Sequence, residues 1–139
     1  MLKNRRLLRV LVSLALVIST LLLPLTASAA RFTRERGFMF VPANATIPYT
    51  LTVSGISVTI PPGAMPKGGP VILFVVTSAN GWFMAEFLPE REFVQPVLMD
   101  FSSVRDETVY YHDGGNLIPL RTQGGKLWSP HFSRYSGWH

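Results

Sequence analysis

From Gly37 onward the chain alternates short apolar runs with Pro, Gly and Asn. Runs of about four to eight residues rich in Val, Ile, Thr, Phe and Tyr, bounded by turn formers, are the mark of β-strands. The pattern predicts strands near Phe38–Val41, Tyr49–Val53, Ile56–Ile60, Val71–Thr77, Phe83–Phe87, Val97–Phe101, Thr108–His112, Leu117–Arg121, Lys126–Trp128 and Phe132–Tyr135. Beyond the first thirty residues no window keeps the 3.6-residue period of an amphipathic helix, and proline interrupts most candidates. Val71–Val76 is apolar on both faces, which places it in the middle of a sheet rather than at an edge. The expected class is all-β, an antiparallel β-sandwich of about nine short strands.

The punctuation carries its own geometry. Pro62-Gly63 fits the central pair of a type II turn, because proline presets its φ and glycine accepts a positive one. Asp113-Gly114-Gly115-Asn116 and Gly124-Gly125 read as hairpin connections. Pro70 and Pro96 are each expected to open a strand, where a missing N–H is tolerated.

The first thirty residues break this texture. Lys3, Arg5, Arg6 and Arg9 precede an apolar run, Val10–Leu23, interrupted only by Ser13, Ser19 and Thr20. Pro24 and Ala27-Ser28-Ala29 follow, with Ala27 and Ala29 at the −3 and −1 positions of a cleavage site. This is the three-part pattern of a secretory signal. Residues 1–29 are therefore expected to be a helical signal peptide, residues 30–45 a flexible segment and residues 46–139 the sandwich domain. The address is secreted or periplasmic. An uncleaved anchor is the alternative, although a bilayer span needs about 20 apolar residues. Membrane contact is expected only through this leader.

Removing the leader changes the charge. The whole chain carries +5, but four of its 13 basic residues lie in the leader, and the remainder is +1. No basic cluster remains to neutralise several phosphates, so nucleic acid is not an expected partner. Cysteine is absent, which removes disulfides and thiol nucleophiles. No cofactor is implied.

Three segments in order resemble the ZU-five domain, the β-sandwich module of ankyrins, zonula occludens proteins and netrin receptors. The first is Val58-Thr59-Ile60-Pro61-Pro62-Gly63-Ala64-Met65-Pro66-Lys67-Gly68. The second, Leu88-Pro89-Glu90-Arg91-Glu92-Phe93-Val94-Gln95-Pro96-Val97, looks like the family's Pro-Glu-Gly…Phe…Pro-Val segment, with Arg91 where the family usually has Gly. The third runs through Val109-Tyr110-Tyr111-His112 and Leu117–Leu120 to His131-Phe132-Ser133-Arg134-Tyr135. The resemblance covers about Ser54–Tyr135. It implies a sandwich used for protein–protein or cell-envelope contact, without enzymatic activity. Some family members cut their own backbone at His-Phe-Ser, which here implies Ser133 as nucleophile on the Phe132 carbonyl and His131 as base. An N-to-O acyl shift through a five-membered ring gives an ester that water cleaves. The plainer expectation is that Phe132 and Tyr135 pack while His131 and Ser133 hydrogen-bond to nearby backbone.

Other chemistry is thinner. Ser133, His112 and Asp113 are the residues of a conceivable hydrolase triad, but no Gly-x-Ser-x-Gly elbow surrounds any serine. His112, His131 and His139 lack the spacing of a helical zinc site, and Asp113-Gly114-Gly115-Asn116 lacks a calcium loop's ligand series. Trp82, Trp128 and Trp138 suggest a stacking platform for a sugar, against the simpler expectation that Trp82 and Trp128 belong to the core or its edge. Asn44-Ala45-Thr46 matches a glycosylation acceptor.

Overall fold

The computed structural model describes residues 31–104 and 107–138. They form ten strands: β1 (Phe32–Val41), β2 (Tyr49–Val53), β3 (Ile56–Ile60), β4 (Gly69–Ser78), β5 (Trp82–Leu88), β6 (Glu92–Asp100), β7 (Thr108–Asp113), β8 (Asn116–Arg121), β9 (Lys126–His131) and β10 (Arg134–Trp138). Two antiparallel sheets result. One has six strands in the order β1-β4-β5-β10-β7-β8; the other has four, β2-β3-β6-β9. The all-β expectation holds, in a sandwich-like arrangement. The leader, with its expected helix and its cleavage site at Ala27 and Ala29, lies outside the described residues.

Period-2 alternation builds the core. The inward positions of the smaller sheet include Val53, Ile56, Val58, Ile60, Val97 and Met99. They meet Leu73, Val75, Phe83, Ala85, Phe87 and Tyr135 of the larger one. Phe87 sits at the centre, with ring centroids 6.2 Å from Phe101, 5.7 Å from Phe132 and 5.8 Å from Tyr135. Each such buried side chain contributes about 1.5–3 kcal/mol, so this cluster replaces the disulfides the chain lacks. Val71, Leu73, Val75 and Val76 are all buried, and β4 lies between β1 and β5, as its two-sided apolar run predicts.

The turns follow the sequence. The Ala64 amide donates to the Pro61 carbonyl at 3.2 Å, and Gly63 has φ 83°, which makes Pro61–Ala64 a type II turn. Asp113 pairs with Asn116 across Gly114-Gly115, and Gln123 with Lys126 across Gly124-Gly125.

Four expectations need correction. The segment expected to be flexible, residues 30–45, contains β1, which pairs with β4 along its full 10 residues. Its arginines hid this, because charges on an outermost strand look like a solvated tail while they guard the edge. Pro96 does not open a strand: it lies inside β6, where the register with β9 shifts between Glu92 and Val97 and the ladder does not require its missing N–H. Phe132–Tyr135 is not one strand. His131 ends β9 in the four-stranded sheet and Arg134 begins β10 in the six-stranded one, so Phe132-Ser133 is the corner between sheets. Trp128 is not core: it is 61% exposed, on the outer face of β9.

Candidate functional site

Two regions hold the candidate residues. The first is the corner after β9. Alternation leaves Phe132 pointing into the core, 3% exposed, with Phe93 at 4.6 Å across the corner. Backbone bonds hold both sides of the Phe132–Ser133 peptide. The Phe132 amide donates to the Arg91 carbonyl at 3.0 Å, and the Ser133 carbonyl accepts from the Phe87 amide at 2.9 Å. Ser129 Oγ donates to the His131 carbonyl at 2.7 Å and lies 3.1 Å from the Tyr135 hydroxyl. Burial pushes the Tyr135 phenol up; the Ser129 bond opposes this and Tyr111 adds to it. The packing expected of Phe132 and Tyr135 is therefore present, while the bonds described at His131 and Ser133 are made by their backbone atoms rather than their side chains.

The self-cleavage geometry is only half assembled. His131 and Ser133 line one cleft of about 480 Å³ with Glu90, Arg91, Tyr111 and His112. The His131 ring lies against Tyr111 at 5.2 Å, and among the described residues no hydrogen bond joins it to Ser133. Neither Phe132 nor Ser133 has a positive φ, and their peptide is trans. Asp113 and His112 line the same cleft as Ser133, so the structure does gather the conceivable triad. Yet His112 Nε2 is engaged by Ser136 Oγ at 2.8 Å. Burial, and then the Arg134 charge, push the His112 imidazole below its ordinary value, so it is the neutral ring that this position favours. Among the described residues no group of three or more His, Asp or Glu side chains is placed to hold a metal. Arg91 Nε is buried there with no hydrogen-bond partner, in the position where the family resemblance places Gly.

The second region is the outer face of the six-stranded sheet. Register defines it, because side chains paired directly across strands share a face. Phe38 pairs with Ile72 and Ile72 with Leu88. One row along, Arg36, Phe74, Glu86 and Arg134 form a band, closed by the Arg134–Glu86 ion pair at 2.7 Å. Next come Arg34, Val76, Met84, Ser136 and Tyr110, and then Trp82 opposite Trp138. Phe32 meets Trp82 edge-on at 6.2 Å. Phe32, Phe38, Phe40 and Trp138 are each more than half exposed.

The other sheet behaves differently. Its outer face carries Thr50, Thr52, Ser57, Thr59, Asp100 and Lys126, with Thr50 and Thr59 hydroxyls 2.8 Å apart. Within the paired register Leu98 and Trp128 interrupt it, and Val94 of β6 is exposed where the register shifts. One-sided antiparallel sheets normally alternate apolar-in with polar-out, as this one does and the six-stranded one does not.

Of the three tryptophans, the structure brings Trp82 and Trp138 together and puts Trp128 on the opposite side of the molecule. Asn44 of the glycosylation sequence is exposed, its backbone N–H donating to the Pro66 carbonyl at 2.9 Å. The apolar outer face was missed in sequence because it begins in β1, where Phe32, Phe38 and Phe40 stand among arginines; the signal was their even spacing. No family model matches the chain, and no curated protein and no solved structure matches it either.

Proposed function

We propose that the chain is an exported, non-enzymatic contact module of the ZU-five type, and that the outer face of its six-stranded sheet is the contact surface. One observation carries this reading: the aromatic and aliphatic residues that break the apolar-in, polar-out rule are concentrated on one of two outer faces. Large exposed apolar patches on soluble proteins mark sites of association. The leader supports the address outside the cytoplasm, and the type II turn at Gly63 is the geometry that the first family-like segment requires.

Photocrosslinking in the producing cell tests it. A photoreactive phenylalanine replacing Phe38 should attach to envelope components, and the same probe replacing Thr52 on the opposite face should not. Equal attachment at the two positions, or none at position 38 in a normally folded protein, would sink the assignment.

A further inference from the structure

Resting on that reading of the face, the charge pattern names its occupant. Among the described strand positions of this surface stand four arginines, Arg34, Arg36, Arg121 and Arg134, against a single carboxylate, Glu86, which Arg134 already neutralises. Glu35 belongs to the other face of β1 and accepts from Ser54 at 2.6 Å. The surface is thus aromatic and cationic. A second copy does not fit, because an isologous pairing would set the arginines against one another. An anionic partner does. Aromatic rings interleaved with arginines suit a lipid headgroup layer, where rings sit at the apolar–polar boundary and guanidinium forks take phosphate.

The chain outside the described residues points the same way. Eight residues separate the end of the apolar run Val10–Leu23 from Phe32, at most about 30 Å of extended chain. Phe32 itself lies in the aromatic corner with Trp82. A leader lodged in a membrane would hold this corner close to its surface. We propose that the outer face of the six-stranded sheet rests on an anionic lipid surface, with Phe38, Phe40 and Trp138 in the headgroup boundary and Arg34 and Arg36 on lipid phosphate. The sequence assigns membrane contact to the leader alone; sheet register supplies this second contact.

The test is binding of the exported protein to vesicles of phosphatidylcholine, with and without phosphatidylglycerol. Binding is expected only to the anionic vesicles and should fall with salt, since the screening length shrinks from about 10 Å at 0.1 M to about 3 Å at 1 M. Each arginine near such a surface is worth roughly five-fold in partitioning, so R34Q with R36Q should lose about 25-fold. F38S with F40S should also release the protein while its melting curve stays close to wild type, since both rings are exposed. Orientation has its own readout. In a Trp128→Phe protein, brominated lipid should quench Trp82 and Trp138; in a protein with both of those replaced by Phe, Trp128 should stay unquenched. Equal binding to neutral vesicles, equal quenching of the two sides, or no vesicle binding would overturn the proposal. Retention on polyglutamate without vesicle binding would do so in favour of an acidic protein. In each of those cases, photocrosslinks at position 38 would still uphold the contact face itself.

Discussion

Replacing Phe132 with Ala tests whether the corner between the sheets is a packed core element. The Phe132 ring is 3% exposed and lies 5.7 Å from Phe87 and 4.6 Å from Phe93. Its backbone amide bond to Arg91 survives the change, so the loss belongs to the ring. Truncating a buried Phe costs about 3–5 kcal/mol, the spread reflecting how far the site collapses. Phe93 is only partly buried and is free to lean in, which favours the lower end, about 3–4 kcal/mol. A domain this size loses roughly 4 °C or more in melting temperature per kcal/mol, so a fall of about 12–20 °C is expected by calorimetry. Phe132→Leu keeps most of the volume and should cost less than about 1.5 kcal/mol. A Phe132→Ala protein melting within a few degrees of wild type would show that the ring does not join the two sheets.

Gly63→Val should cost more than the roughly 1–2 kcal/mol that a left-handed backbone imposes on any side chain, and Gly63→Asn less than that; an unchanged melt for Val would remove the type II turn. His112 is depressed by burial and by Arg134, so the unfolded chain takes up a proton first: stability should decline as pH falls below 6.5 and level off beneath the folded value. His112→Asn removes that titration, so wild type should lose stability relative to it between pH 7 and pH 5; a constant difference would contradict the assignment. The Phe132–Ser133 bond should stay intact, so the denatured mass should include Ser133–His139; finding most chains shortened by that segment, and rescued by Ser133→Ala, would establish self-cleavage. N-terminal sequencing of exported protein should begin at Ala30 or Arg31, and an intact Met1 from washed membranes would mean an anchor.

What the sequence made legible was what local chemistry decides. Val58, Ile60, Val71 and Leu73 announce strands by their spacing, and Pro62-Gly63 announces its turn because few residues tolerate that φ. The strands on either side of Ser54-Gly55 are legible by the same spacing, while the left-handed serine at φ 49° between them is not. The charged first part of β1, Phe32–Gly37, escaped because pairing with β4, a long-range event, outweighs what charged residues suggest locally. The candidate surface is harder still to read. Phe38, Ile72 and Leu88 form one row of it from three separated segments, and only register makes them neighbours. The cleft has the same character: His112 and Ser136 are 24 residues apart in sequence and 2.8 Å apart in space.

The corner and the contact face are mechanically one problem. β10 starts immediately after Ser133 and sits between β5 and β7, near the middle of the six-stranded sheet. It supplies Tyr135 to the core and Arg134 and Trp138 to the outer face. A cut at Phe132–Ser133 would leave this strand held by its ladders to Trp82–Glu86 and Tyr110–Tyr111, and by the Tyr135 ring. Were it to leave, β1-β4-β5 would separate from the β7-β8 hairpin, exposing two new strand edges and splitting the face between them. Phe132 buried on one side of the bond and Tyr135 buried on the other oppose that separation. The same packing that makes the His-Phe-Ser corner a poor place to strain a peptide keeps the surface in one piece.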